Sequence, residues 1–420
     1  AVTALEKIMK GSPDGDVLIF MPTEQDIRET CQLIEVEFEK RTVVLPLFAR
    51  LPWREQRRIF QHASKRKIVV ATNVAETSIT IPGIRYVIDT GLARISQYNP
   101  RSRTTSLPVR AISRSSADQR KGRCGRVENG ICIRLFEQAD YENRPLFTEP
   151  EIHRSNLAEV ILRMLSLNLG DITSYPFIDP PHAKNIKDGI DILRELGAIT
   201  VDTRDDKPDD GHRYSLTERG RMMARLPIDP RISRMIIEAE REGCVNEILI
   251  IASALSIQDP RERPVESEKD ADKAHAALAD PSSDFMTLLV IWNRYHGLMQ
   301  TAKSKGRMKK FCRDHYLSVR RMREWIDVYD QLNAILDEHG WKIRKKSETV
   351  DKSLYDGIHR AIVSGYLSNI AKRKEKNIYT AARGKDVMIF PGSGLFNKGG
   401  SWIVAADMIE TTRLFARMAE

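Results

Sequence analysis

The first 145 residues of the chain alternate between short apolar runs and longer amphipathic stretches. Residues 23–40 and 54–64 show helical periodicity, and Thr23 is the expected N-cap of the first stretch, with Asp26 three residues further on. Strands that alternate with helices are typical of βαβ units around a parallel sheet. The pattern therefore predicts a parallel α/β domain that ends near residue 145. The predicted strands are 16–21, 42–48, 68–72 and 84–89.

The pattern changes beyond residue 150. Apolar residues at helical spacing, followed by Gly197 and the short run 214–216, predict helices and a small hairpin. Residues 227–340 are predicted to be entirely helical, with one helix over 311–335 whose aromatic residues are core rather than base-stacking groups. From about residue 352, short β-branched runs separated by glycines predict a small barrel.

Two segments of the α/β part carry the candidate chemistry. Residues 119–126 read Gln-Arg-Lys-Gly-Arg-Cys-Gly-Arg, and they follow the hydroxyl-rich run Ala71-Thr-Asn-Val-Ala-Glu-Thr-Ser-Ile-Thr80. Arginine stays charged at any working pH and offers a planar fork of five donors to phosphate oxygens. Both segments follow predicted strands, and ligands of open α/β sheets gather at the carboxyl ends of strands. The pair therefore predicts a phosphoryl-transfer site, although 119–126 alone could be a basic surface turn.

These segments resemble motifs V and VI of superfamily 2 helicases. Their residues are most similar to those of the DEAH-box RNA helicases of the bacterial HrpA type. Asp16-Val-Leu-Ile-Phe-Met-Pro22 is similar to motif IV of that family, and Leu226-Pro-Ile-Asp-Pro230 to its accessory region. The resemblance covers most of the chain and implies a multidomain α/β plus α plus β architecture. The implied domains are a RecA-like parallel α/β domain over 1–148, a winged helix over 149–222, a helical bundle (ratchet) over 223–345 and an OB-fold over 346–420.

The resemblance also implies roles for individual residues. Arg123 and Arg126 match arginine fingers that reach the γ-phosphate, and Gln119 matches the residue that orients the attacking water. Phe60 matches the aromatic residue that stacks on the nucleotide base, with an ordinary core position as the alternative. The other matches are Ser78 and Thr80 beside the nucleotide, and Thr72 and Asn73 on the RNA backbone.

Residues 97–113 contain two prolines among β-branched and polar residues. We predict a projecting hairpin, because the matching segment of DEAH-box helicases is a β-hairpin beside the RNA channel; an ordinary surface loop is the alternative. Arg101 and Arg103 in this segment are predicted RNA contacts. Phe396 and Lys398, in the glycine-rich loop of the predicted barrel, are further candidates, since OB-folds bind single strands through basic grooves and aromatic side chains.

Composition refines this picture only slightly. Lys and Arg number 67 against 58 Asp and Glu, and the resulting charge of +9 is compatible with nucleic acid but is common in other proteins.

The five cysteines include no CxxC pair, which argues against a metal site or a disulfide framework and favours a reducing compartment. No apolar run reaches membrane-spanning length and no signal peptide is visible. A cytoplasmic monomer with no membrane partner is expected.

The 420 residues contain neither a G-x-x-x-x-G-K-[ST] loop nor an Asp-Glu pair after a strand. We therefore expect a fragment that follows a first RecA-like domain and that, alone, neither hydrolyses ATP nor binds a cofactor. The full-length protein would use ATP with Mg²⁺ and act on single-stranded RNA. Two other functions remain open: a non-enzymatic RNA-binding or adaptor protein on a helicase scaffold, and a related motor that acts on DNA.

Overall fold

The computed structural model describes residues 1–11, 14–39, 41–77, 79–126, 129–201, 214–301, 305–341, 350–410 and 413–420. The chain divides into two compact units, one of residues 1–97 and 107–150 and one of residues 98–106 and 151–420. The short segment 98–106 therefore belongs with the second unit, although the expected domain 1–148 includes it.

The first 150 residues contain the alternating strands and helices that the sequence predicts. A 3₁₀ turn at Arg58–Phe60 follows the third helix. The elements are α1 (Val2–Gly11), β1 (Asp16–Phe20), α2 (Glu24–Phe38), β2 (Thr42–Leu47), α3 (Trp53–Arg57), β3 (Arg66–Ala71), α4 (Val74–Thr77), β4 (Ile84–Asp89), β5 (Leu92–Arg94), β6 (Gln97–Asn99), β7 (Thr104–Ser106), β8 (Val109–Ala111), α5 (Arg114–Lys121), β9 (Ile131–Arg134) and α6 (Gln138–Asn143).

Five of these strands form a parallel sheet in the order β2-β3-β1-β4-β9. The central strand β1 pairs with β3, where Val17 faces Ile68, and with β4 on its other side. These three strands are almost entirely buried, as expected of parallel strands covered on both faces. The side chain of Thr23 accepts a hydrogen bond from the N–H of Asp26 at 3.1 Å, which confirms the predicted start of α2. The strand β9 was not predicted.

Residues 151–420 begin with helices and a small hairpin, continue as helices and end in strands. No helix within the described ranges is long and apolar enough to cross a membrane. The elements are α7 (Glu151–Arg154), α8 (Ala158–Ser166), α9 (Ala183–Glu195), β10 (Ile199–Val201), β11 (Tyr214–Leu216), α10 (Glu218–Arg225), α11 (Pro230–Glu242), α12 (Val245–Leu255), α13 (Glu268–Ala276), α14 (Asp284–Thr301), α15 (Lys305–Asp314), α16 (Val319–Glu338), α17 (Lys352–Gly365), β12 (Ile370–Arg373), β13 (Ile378–Ala381), β14 (Asp386–Ile389), β15 (Trp402–Glu410) and β16 (Leu414–Ala419).

The helical part has one continuous core, in which α12 is largely buried. Trp325 is fully buried and its indole N–H donates to the carbonyl oxygen of Ile250 at 2.9 Å, which confirms its predicted core role. The single helix predicted over 311–335 is wrong, because α15 and α16 are separate helices. Tyr316 between them has a φ of 51°, and the backbone there hydrogen-bonds to residues 260–262, so the chain cannot continue the helix.

The last five strands form the predicted small barrel, in the order β12-β13-β14-β16-β15. The pairing of β12 with β15, where Ile370 faces Val404, closes it. The hairpin formed by β6 and β7 continues the same sheet, because Thr105 of β7 pairs with Ile409 of β15. The predicted hairpin is therefore confirmed over residues 97–106, whereas β8 turns back to pair with β5.

Candidate functional site

The helix α5 divides the side chains of the arginine-rich segment between core and surface. Ser113 caps the helix by accepting a hydrogen bond from a backbone N–H in its first turn at 3.2 Å. Ala117 and Arg120 lie three residues apart on one face of the helix and are buried; Cys124, beyond the end of the helix at Lys121, is buried as well. Gln119 lies on the other side of the helix and is exposed. Of these side chains, Gln119 is the one that a ligand can reach without rearrangement of the helix.

Arg120 is a structural residue at the centre of the first unit, which the sequence analysis missed. Its side chain is 1% exposed, and its guanidinium lies 2.8 Å from Asp89 and 3.0 Å from Glu76. The same group lies 4.6 Å from the ring centroid of Phe20. It thereby joins α5 to α4 and to the carboxyl ends of β1 and β4. The signal that could have identified it is an arginine on the same helical face as Ala117.

Arg123 holds the segment that follows α4. Its Nε donates to the carbonyl oxygen of Glu76 and its Nη1 to that of Ile79, both at 2.7 Å. The side chain is buried. Burial, together with the positive charge of Arg126, lowers the pKa of the Arg123 guanidinium, while the charge of Glu76 opposes this shift. In this arrangement the guanidinium donors of Arg123 point at backbone carbonyls rather than into solvent.

Arg126 lies at the surface, and its Nη1 donates to the side-chain oxygen of Thr80. Thr80 is exposed as well. The structure thus brings the last arginine of 119–126 against the end of the hydroxyl-rich run. Ser78, in the same run, lies outside the described residues.

The expectation that both segments follow strands holds for only one of them. Thr72 and Asn73 come directly after β3; the N–H of Thr72 donates to the carbonyl oxygen of Leu47 at 3.1 Å, and Asn73 is exposed. Residues 119–126 instead begin on α5 and precede β9. Their position is therefore set by the packing of a helix and not by the carboxyl end of a strand.

Phe60 ends the 3₁₀ turn after α3 and is 47% exposed. The alternative interpretation of this residue as part of the core is therefore wrong. Its neighbour Ile59 is fully buried and takes the core position instead. An exposed aromatic ring at this place can stack on a planar ligand.

The two arginines of the hairpin differ in their surroundings. Arg101 is exposed. Arg103 has a φ of 52°, and its side chain is 7% exposed, with Nε 2.9 Å from Asp188 and Nη1 2.5 Å from Glu195. Tyr98 also donates to Asp188, at 2.7 Å. The prediction of an RNA contact for Arg103 is thus corrected to a structural role, because Asp188 and Glu195 of α9 hold its guanidinium in place.

Alanine at position 103 is expected to destabilise the attachment of the hairpin by about 3–5 kcal/mol, because it leaves the buried carboxylate of Asp188 without its partner. Hydrogen exchange of the backbone amides in β6, β7 and α9 measures this effect locally. The matched control is Arg101→Ala, which removes an exposed arginine two residues away and should change exchange little. Unchanged protection in Arg103→Ala would contradict the structural role.

The glycine-rich loop of the barrel holds the remaining candidates. Asp284 anchors this loop, accepting from the hydroxyl of Ser393 at 2.6 Å and from the N–H of Gly394 at 2.9 Å. Phe396 is half-buried and packs against the barrel core, and its stacking on nucleic acid stays a prediction. Lys398 is exposed and stays a candidate contact.

Comparison with known proteins identifies three matching family models, in sequence order along the chain. They are the helicase conserved C-terminal domain over residues 1–128, the helicase associated domain (HA2), ratchet-like, over 229–288, and the oligonucleotide/oligosaccharide-binding (OB) fold over 358–419. Over 406 residues the chain is 49% identical to the ATP-dependent RNA helicase HrpA of Escherichia coli (strain K12) and 47% identical to the HrpA homolog of Haemophilus influenzae. Each match takes in 96% of this chain, which spans 30% of the relative's length.

Proposed function

Because this chain belongs to the HrpA-type DEAH-box helicases, we propose that it supplies the arginine-bearing side of the ATP cleft in an RNA-dependent helicase. The observation that carries the proposal is that the side chains of residues 119–126 are divided between the surface and the core. Gln119 and Arg126 lie at the surface, while Arg120 between them is buried in ion pairs. A non-enzymatic RNA-binding or adaptor protein has no need for a residue that senses a γ-phosphate.

Arg126 would act as the arginine finger in this cleft. Its guanidinium is exposed and shares a hydrogen bond with Thr80, so it can exchange that bond for γ-phosphate oxygens. Gln119 would orient the attacking water, and Phe60 would stack on the base. Arg123 could serve as a second finger only by giving up its two carbonyl partners; in the present arrangement it positions the segment that carries Thr80.

The candidate residues Gln119, Arg123, Arg126 and Thr80 carry cationic, amide and hydroxyl groups. These donors suit phosphate oxygens, so the residues fit the triphosphate of ATP. They do not fit Mg²⁺, which prefers carboxylate and water oxygens. The metal that helicase chemistry requires would therefore need ligands other than these four residues.

RNA would contact this chain through polar and basic groups: Thr72 and Asn73 after β3, Arg101 on the hairpin and Lys398 on the barrel, of which all but the half-buried Thr72 are exposed. Hydroxyl, amide and amine donors hold a phosphate backbone without reading its sequence. We further propose that α8, α9, the hairpin of β10 and β11, and α10 form a winged helix that supports the motor, and that the protein works as a monomer in the cytoplasm.

The test joins this chain to a P-loop-bearing RecA-like domain and measures ATP hydrolysis with and without single-stranded RNA, at one stated salt concentration. Strong stimulation by RNA and weak stimulation by DNA of the same sequence are expected. Equal stimulation by DNA would favour the DNA motor, and RNA binding without any hydrolysis would favour the adaptor. The chain on its own is expected to be inactive.

A further inference from the structure

The barrel presents an outward row of side chains that runs across four neighbouring strands. Trp402 of β15 pairs with Lys372 of β12, Lys372 pairs with Thr380 of β13, and Thr380 pairs with Asp386 of β14. All four residues are exposed. Because directly opposed residues of paired strands lie on the same face of a sheet, this row is a continuous surface.

Trp402 is the prominent member of the row. It is 60% exposed, whereas the next four residues of β15 are buried in the barrel. The Nζ of Lys372 lies 5.7 Å from the centroid of the Trp402 ring, so the indole lies beside a positive charge. The exposed face of the ring contributes little to the fold, so it is available to stack on a planar ligand.

The surroundings of this ring are predominantly basic. Residues 372–376 read Lys-Arg-Lys-Glu-Lys and are all exposed. Lys374 pairs with Asp386 at 2.5 Å, while within the described part of the chain no carboxylate forms an ion pair with Lys372. This surface therefore attracts anions, and it offers the flat ring of Trp402 among its basic side chains.

The loop that carries Lys398 is attached to the turn between β12 and β13. Asn377, in the turn between β12 and β13, exchanges two hydrogen bonds with Asn397, each of 2.8 Å. The hydroxyl of Tyr379 also donates to the carbonyl oxygen of Gly400 at 2.9 Å. The turn that follows the basic run 372–376 and the loop that carries Lys398 are thus held together.

We propose that Trp402 and Lys372 form a base-stacking site for single-stranded nucleic acid on the outer face of the barrel. The inference rests on the proposed function, since it assigns a specific contact to the nucleic acid of that function. A base would stack on the indole and an adjacent phosphate would meet the ammonium group of Lys372. Every nucleotide brings a planar base and a phosphate together, whereas an acidic peptide such as polyglutamate has charge but no ring, so the pairing of ring and cation favours nucleic acid.

The fluorescence of tryptophan tests this site directly. Of the five tryptophans, Trp53 and Trp402 are exposed and the other three are buried. In the variant Trp53→Phe of the full chain, the tryptophan fluorescence that acrylamide can quench comes from Trp402. Titration with a single-stranded RNA oligonucleotide is expected to quench this fluorescence. The same titration in Trp53→Phe/Trp402→Phe gives the signal of the buried indoles alone.

The affinity for labelled RNA, measured by fluorescence anisotropy, distinguishes failure of the stacking site from failure of the proposed function. Trp402→Ala is expected to weaken binding about 5- to 150-fold, and Trp402→Phe, which keeps a ring, should lose much less. Lys372→Ala should reduce the salt dependence of binding by about one counterion.

If RNA binds tightly but Trp402 is not quenched and its alanine variant binds normally, the stacking site is refuted while the proposed function stands. Quenching by polyglutamate and not by RNA would refute it in favour of a protein partner, and no binding of RNA by any variant would remove both proposals.

Discussion

Alanine at position 126 is expected to lower RNA-stimulated ATP hydrolysis by about three to five orders of magnitude in a protein that joins this chain to a P-loop-bearing domain. The reason is that an arginine finger neutralises charge that develops on the transferred phosphoryl group, where a fixed guanidinium acts without reorganisation. Arg126 is exposed and its side chain reaches Thr80, so its removal leaves no buried group unpaired. The loss should therefore be chemical and not structural.

Steady-state kinetics distinguishes these causes. The value of kcat is expected to fall while the KM for ATP changes little, because the interaction is made mainly in the transition state. The control is Lys121→Ala, which removes an exposed positive charge from the same segment and should keep turnover near that of the wild type. Equal turnover in Arg126→Ala and in the wild type would remove the assignment of Arg126 as a finger.

The sequence predicts the parts of this fold that depend on local spacing. The four predicted strands of the first unit and the Thr23 cap follow from short apolar runs and from capping chemistry. The break at Tyr316 was missed, since the residues that end α15 pair with a segment about fifty residues earlier in the chain. Local periodicity contains no information about such a partner.

The same limit applies to the candidate site. Arg101 and Arg103 are alike in sequence, but Arg103 is buried by Asp188 and Glu195, which lie 85 and 92 residues further along the chain. The pairing of β7 with β15 likewise depends on contacts that no local pattern reveals. The resemblance to a family therefore identified where the arginines of the chain are concentrated. Only tertiary packing determines which of them face a ligand.

Replacing Arg120 by methionine is expected to destabilise the first unit by about 3–5 kcal/mol. Methionine keeps much of the side-chain volume, but Asp89, which is fully buried, loses the ion pair at 2.8 Å, and Glu76 loses the one at 3.0 Å. Hydrogen exchange of the amides in α5 and β4 reports this loss within the unit, and Arg126→Ala is the matched control for removing an arginine from the same segment.

A second substitution shows whether the unpaired carboxylate causes the loss. In Arg120→Met/Asp89→Asn the buried negative charge is absent, so much of the protection should return, because removing both partners of a buried ion pair costs less than removing one. The variant Asp89→Asn alone leaves Arg120 its contacts with Glu76 and Phe20 and should cost less than Arg120→Met. If Arg120→Met keeps full protection, or if the double variant is no better than the single one, Arg120 does not hold α4 and α5 together through its charge. The assignment of Arg120 as a structural residue and of Arg126 as an exposed arginine finger, both within residues 119–126, would then have no physical support.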